Sequence, residues 1–378
     1  MTSGGVERLM RRLGGIALMV LTACSAPAHG AGPKPTVPAR ADATARSGSP
    51  ASFVAERIQP DGRVVVGLTD AMTGKPLRTL YVVRDGGVSG TAIARSGDVW
   101  ITINSGPAPR SDVAGGDPQP YTCASTVIAV SPSTGATRVV MRGGNNELIS
   151  DARPSPTDDR VAYLHSGCAT SYFDDSLQIR SRNSGRVITI GGQLPRCHVL
   201  AQPRWSADGR HVAVLYGPAS TSDFRGANGT CSEPRASKLA VVSAQHGSAG
   251  IVGNVAPIEP QCSVNAIAVT RHGWAAVEQC DDRSRLPYNS LYIAGPTRLV
   301  RYSPSLNIVA RAALGRCQDG ASMAGQPASD EVVISTYLYC GGQNHSQPVT
   351  WVFVATGNQP QQLLVLPGPQ LSIGFMST

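Results

Sequence analysis

The chain has 378 residues, with 33 Lys and Arg against 25 Asp and Glu, a formal net charge of +8 and only 15% charged residues. With 41 glycines and 28 prolines, helix-period segments are scarce, and the composition points to an all-β protein. The basic excess is scattered, with no Lys/Arg run interleaved with aromatics, so nucleic acid is not an expected partner.

Residues 1–23 read as a targeting segment. Arg8, Arg11 and Arg12 form a basic start, and Leu13 to Ala23 is an apolar run too short to span a bilayer. The run ends in Leu21-Thr22-Ala23-Cys24, which resembles the bacterial lipoprotein box, where small residues precede a cysteine. The resemblance implies a lipoprotein signal peptide, cleavage before Cys24 and diacylation of the Cys24 thiol. The protein is then extracytoplasmic and lipid-anchored to the bacterial cell membrane. Arg11-Arg12 also raises twin-arginine export, although Leu13-Gly14-Gly15 suits that motif poorly; Sec and twin-arginine routes both stay open. Cleavage would remove three arginines and Glu7, leaving a modestly cationic chain with at most a weak pull toward anionic lipid or cell-wall polymer.

Residues 24–51, after the cysteine, are dominated by Ala, Pro, Gly and Ser. Nothing in this stretch is large enough to offset the entropy of ordering it, so it is expected to be a disordered tether. A flexible chain of that length has a mean reach of about 30 Å.

From 52 to 378 the sequence repeats itself. The clearest copy is Pro203-Arg204-Trp205-Ser206-Ala207-Asp208-Gly209-Arg210-His211-Val212-Ala213-Val214-Leu215, read as a half-buried strand, an Asp-Gly turn and a second strand. Weaker copies run over 149–163, 92–101, 266–277 and 321–334, with a truncated one at Gln59-Pro60-Asp61-Gly62-Arg63-Val64-Val65-Val66. A second hairpin follows the first, as in 70–80, 130–140 and 179–188. Two hairpins per repeat make four antiparallel strands, which is one propeller blade. The count predicts a β-propeller of six four-stranded blades, with Gln370 to Phe375 returning to complete the blade begun at Phe53. A seventh blade is an alternative if 345–378 hides another repeat, and a β-sandwich is the alternative architecture.

The P-x-W-S-x-D-G-R-x-V-A hairpin at 203–213, followed by an S-x-T-G turn, resembles the TolB-type propeller repeat. The likeness covers about 52–378 and is one of architecture. Such WD40-like repeats occur in periplasmic scaffolds, peptidase gating domains and lactonases, so the fold does not fix the function.

Eight cysteines follow Cys24: Cys123, Cys168, Cys197, Cys231, Cys262, Cys280, Cys317 and Cys340. An even number in an exported chain reads as disulfides, and the absence of C-x-x-C pairs argues against structural zinc. Counting the strands of a blade from the axis outward, Cys197, Cys262 and Cys317 each precede a first strand. Cys168, Cys280 and Cys340 each end a second strand, and Cys123 and Cys231 fall between second and third strands. All eight then belong to one face. First and second strands are antiparallel neighbours, which favours Cys262 with Cys280, Cys317 with Cys340, and Cys197 with Cys231. Cys123 and Cys168 remain for each other, and this is one set among 105 connectivities.

The same face carries the longer insertions. Candidate binding residues there are Tyr172, Asp174, Asp175, Phe224, Arg225, Asp281, Asp282, Arg285, Tyr288 and His345, because aromatics and arginines on rigidly held loops are favoured interface anchors. Asp174-Asp175 and Asp281-Asp282 could hold calcium; otherwise they are turn formers, and no cofactor is expected. The histidines show no metal-ligand spacing, and there is no G-x-S-x-G elbow. The function expected is that of a non-catalytic scaffold binding another envelope protein or polymer. The alternative is a metal-dependent hydrolase or lactonase with its site in the axial channel.

Overall fold

The structure is a computed structural model. It describes residues 52–70, 73–105, 123–167, 176–190, 199–217, 238–244, 254–281, 294–316, 318–325, 328–338, 349–367 and 370–376. Among these there are strands and turns but no helix.

The strands form six four-stranded antiparallel sheets. The first contains β1 (Ser52–Ile58), β2 (Val64–Asp70) and β3 (Pro76–Val83), with β24 (Gln370–Met376) added from the far end of the chain. The second is β4 (Gly87–Ile93), β5 (Val99–Ser105), β6 (Ala124–Val130) and β7 (Thr137–Arg142). The third is β8 (Glu147–Pro154), β9 (Arg160–Gly167), β10 (Ser176–Ser181) and β11 (Val187–Ile190). The fourth is β12 (Val199–Trp205), β13 (His211–Gly217), β14 (Lys238–Ser243) and the two-residue β15 (Asn254–Val255). The fifth is β16 (Cys262–Thr270), β17 (Gly273–Asp281), β18 (Ala294–Tyr302) and β19 (Ile308–Arg316). The sixth is β20 (Gln318–Gly325), β21 (Val332–Leu338), β22 (Val349–Thr356) and β23 (Gln359–Pro367).

The innermost strands β24, β4, β8, β12, β16 and β20 pack each against the next and close a ring. This is a six-bladed β-propeller. The β-sandwich and the seventh blade are both ruled out. Residues 349–367 are the outer half of blade six, and the next strand leaves to pair with β1 through Phe53 opposite Phe375 and Ser52 opposite Met376. Because the C-terminal strand supplies the inner position of blade one, the Gln59–Val66 hairpin joins the second and third strands there. It is not the first-to-second hairpin its sequence resembles.

Local chemistry explains the hairpins. At 206–211 the Gly209 backbone takes φ 67°, the Ser206 hydroxyl accepts from the His211 amide at 2.9 Å, and Asp208 Oδ1 accepts from the Arg210 amide at 2.9 Å. Ser155 repeats the first of these bonds in blade three, accepting from the Arg160 amide at 3.1 Å. The outer hairpins close with an amide four residues on from a carbonyl, Gly135 to Ser131 at 2.8 Å and Gly185 to Ser181 at 3.0 Å.

The core lies in the seams between blades. Val212 and Val214 pack against Leu164, Leu177 and Ile179 of blade three, while Ala213 and Leu215 from the same strand pack against Val264, Ile267 and Ala276 of blade five. The second strand of a blade is therefore buried on both faces, not on one as the alternating pattern suggested. Arginines reinforce the seams. Arg160 lies 5.0 Å over the Trp205 ring and donates to the Gly209 carbonyl at 2.7 Å. Arg301 donates to the Asp330 carbonyl at 2.8 Å, joining blades five and six.

Strand direction assigns the two faces. The first-to-second and third-to-fourth hairpins share one face with Ser52, where the chain enters the propeller. The connections after Ser105, Gly167, Gly217, Asp281 and Leu338 start from the other face. Cys262 and Cys280 are direct cross-strand partners on that second face, joined by a disulfide with a Cα–Cα distance of 3.9 Å, as expected. Cys123, just before β6, is also disulfide-bonded.

Candidate functional site

Each innermost strand breaks register with its neighbour partway along its length. The bulged residues are Ser89 in β4, Asp151 with Ala152 in β8, Gln202 with Pro203 in β12, Asn265 in β16, Gly320 in β20 and Ile373 in β24. A bulge inserts a residue that the ladder does not use and re-aims its side chain. Asp151 and Gln202 do so with left-handed backbones, φ 48° and 52°, a conformation that side-chain-bearing residues seldom adopt.

Two of them, Asp151 and Gln202, build polar contacts with residues of blades three to five. Asp151 Oδ2 accepts from Arg204 Nη1 at 3.1 Å, and Asp151 Oδ1 pairs with Arg153 Nη2. Arg153 also donates through Nη1 to the Thr91 carbonyl of blade two, and the Trp205 indole donates to the Arg153 carbonyl at 2.9 Å. Farther round, Gln202 Nε2 donates to the Asn265 carbonyl at 2.9 Å, and Gln202 Oε1 accepts from the Ile267 amide at 3.2 Å. Gly90 makes room for the acid: a Cβ there would lie 2.6 Å from the Asp151 Cα.

Glu56 completes the cluster from β1. It sits on the Val54 side of the strand, turned toward blade two, and is 8% exposed. Burial pushes its carboxyl up to about 7, against the opposing pull of the Arg153 charge. Burial likewise depresses Arg153 to about 10, helped by the Arg204 charge beside it. The Thr91 hydroxyl faces the Glu56 carboxyl and works against that rise, while Arg153 Nε makes no hydrogen bond.

This arrangement does not suit a divalent cation. The Asp151 carboxylate faces two guanidinium groups, which occupy both its oxygens. The one group of metal-ligating side chains among the described residues is Glu259 with Cys262 and Cys280, and the two sulfurs are bonded to each other.

The predicted loop residues Tyr172, Asp174, Asp175, Phe224, Arg225, Asp282, Arg285, Tyr288 and His345 lie outside the described residues, as do Cys24, Cys168, Cys197, Cys231, Cys317 and Cys340. Asp281 closes β17 at the mouth of one insertion. The axial cluster was missed in the sequence although its signal was there. Asp151-Ala152-Arg153-Pro154 and Gln202-Pro203-Arg204-Trp205 are equivalent positions of the repeat, each with arginine two residues after the bulge. Glu56 carries a charge at a buried position, next to the apolar run Phe53-Val54-Ala55.

No family model matches the chain, and no curated protein does. Among solved structures it is similar to TolB from Acinetobacter baumannii, with TM-score 0.50 and 11% identity over 85% of this chain; it covers 65% of that chain. A putative TolB from Agrobacterium tumefaciens matches over 85% of this chain and 91% of its own, with TM-score 0.45 and 11% identity. Prolyl oligopeptidase B from Galerina marginata matches over 84% of this chain but 43% of its own, with TM-score 0.46 and 9% identity. At these identities the likeness is one of fold: the chain shares the propeller architecture of TolB-type proteins.

Proposed function

We propose that this is a membrane-anchored extracytoplasmic lipoprotein whose propeller is a non-catalytic scaffold for another envelope protein or polymer. The observation that carries the reading is the placement of the chain on the two faces. The described chain enters at Ser52 on the hairpin face, while the connections after Ser105, Gly167, Gly217, Asp281 and Leu338 open on the opposite one. A lipid on Cys24 would hold the molecule by one face and leave the disulfide-bearing face free for a partner. The likeness to TolB from Acinetobacter baumannii is one of propeller architecture and is compatible with this reading.

The hydrolase alternative needs an axial metal. The axial acid Asp151 is instead paired with Arg153 and Arg204, which favours the scaffold. Cell fractionation with a Cys24→Ala variant tests the anchor. The variant should leave the membrane fraction and accumulate as unprocessed precursor; unchanged partition removes the anchor. Stoichiometric divalent metal in the purified protein, with chelator-sensitive turnover of a lactone or ester panel, would establish the hydrolase instead.

A further inference from the structure

The hairpin face carries exposed cations in its turns. Lys75 stands in the turn after β2, Arg95 in the turn after β4, and Arg182 and Arg186 in the turn after β10. Arg210 follows β12 and Arg271 follows β16, so the six come from blades one to five. All six are exposed, and none is in an ion pair among the described residues. The acids of the same face are engaged within the fold. Asp98 pairs with Arg138 at 3.0 Å, and Asp330 bonds His272 Nδ1 at 2.6 Å. Asp208 accepts from the Ser206 hydroxyl at 2.6 Å and Asp159 from the Ser155 hydroxyl at 2.8 Å. Asp70 accepts from the Thr73 amide at 2.6 Å and Asp158 from the Arg95 amide at 3.4 Å. Of these acids only Asp159 and Asp208 are exposed, and Glu331 is half-buried. The charges that meet water on this face are therefore mostly positive.

We propose that the hairpin face docks on an anionic phospholipid bilayer through Lys75, Arg95, Arg182, Arg186, Arg210 and Arg271. Every one of these turns lies at the same end of its blade, which spreads the charges over one face instead of gathering them in a groove. A spread array of charges fits a planar field of headgroups, which draws in each basic residue that comes within a Debye length. Guanidinium groups also pair with phosphate oxygens through two hydrogen bonds at a time. Arg182 is already held in place, 5.6 Å over the Trp100 ring and donating to the Asp158 carbonyl at 2.8 Å. The proposal rests on the anchored reading and deepens it. The described chain enters at Ser52 on this same face, and the sequence between Cys24 and Ser52 adds Lys34, Arg40 and Arg46 against Asp42. Docking in this way turns the opposite, disulfide-bearing face away from the membrane.

Vesicle cosedimentation of the full-length Cys24→Ala protein, which bears no lipid, tests the surface apart from the anchor. The vesicles are phosphatidylcholine alone, or phosphatidylcholine and phosphatidylglycerol in equal parts. Binding to the mixed vesicles should exceed binding to the neutral ones and fall as salt is raised. Because the segment before Ser52 is itself basic, the deciding comparison is between variants. Arg95→Gln, Arg186→Gln and Arg210→Gln should each weaken binding to the mixed vesicles about fivefold, the worth of one basic residue at an anionic surface. Arg95→Lys, Arg186→Lys and Arg210→Lys should retain most of it. Arg84→Gln and Arg142→Gln, exposed on the opposite face, should leave it unchanged. Equal binding to both kinds of vesicle, full binding in the triple glutamine variant, or an equal loss from the opposite-face pair would each overturn the proposal. Soluble polyphosphate bound as tightly as the mixed vesicles at equal phosphate would assign the face to a dissolved polyanion and overturn the bilayer. In cells a high-salt wash strips docked protein that carries no lipid, so fractionation of Cys24→Ala after that wash reads the anchor alone, and either claim can fail without the other.

Discussion

Arg204 donates from Nη1 to Oδ2 of Asp151 at 3.1 Å, and the two residues belong to the innermost strands of neighbouring blades. Both side chains are largely withdrawn from water, at 15% and 10% exposure. Asp151→Ala should leave two buried guanidinium ions without a counter-charge and cost about 3–5 kcal/mol of unfolding free energy. In a cycle with Arg204→Met, the double variant should recover part of that loss, giving a coupling of about 0.5–3 kcal/mol. Urea unfolding of the four proteins reads both quantities.

Glu56 makes stability depend on pH. Its folded carboxyl is raised from 4.5 to about 7, so the folded state holds a proton that the unfolded chain has released. Its contribution is complete below about pH 4.5 and lost as pH rises toward 7, levelling off above. The total drop should be about 3 kcal/mol, at 1.36 kcal/mol per unit. Asp159, held below its usual range chiefly by the Thr157 hydroxyl, acts in the opposite sense and only at lower pH. Glu56→Gln should flatten the unfolding free energy between pH 5 and pH 8, measured by urea unfolding at fixed ionic strength.

The strand-turn-strand copies were legible because tight turns and apolar runs are local signals; five marked the first hairpin of a blade, and the sixth, at Gln59–Val66, kept the count right from a different hairpin of blade one. The return of the C-terminal strand was also legible, from the unpaired strand at Phe53. Two things were not. Strand burial on both faces depends on neighbouring blades, so the pattern at Val212–Val214 looked half-buried when it is not. The axial cluster depends on bulges: Pro203 and the matched Arg153 and Arg204 positions were signals, but which way a bulge re-aims a side chain depends on the neighbouring blades.

Closure by β24 gives a third prediction. Removing residues 370–378 deletes the inner strand of blade one, exposes the edge of β1 and opens the ring of inner strands. The truncated protein should lose its cooperative thermal transition or melt about 10 °C lower, since several kcal/mol are lost at about 2 °C each in a domain of this size. An unchanged melting temperature would mean that β24 does not lock the ring.

The Cys262–Cys280 disulfide closes a loop with a sequence separation of 18. Replacing both cysteines by alanine should cost about 3 kcal/mol in guanidinium unfolding, the chain-entropy value for a loop of that size. Blade five should remain folded, because Trp274, Ala276 and Val277 stay in the seams.

The scaffold itself is tested most directly by crosslinking the protein in intact cells and recovering what is bound. The account predicts a specific envelope partner whose recovery drops in Tyr172→Ala, Arg225→Ala and Tyr288→Ala variants. Each hot-spot loss should be about 1–2 kcal/mol, or roughly five- to thirtyfold in affinity. Recovery of no partner above a control lipoprotein, or of one indifferent to all three substitutions, would contradict it.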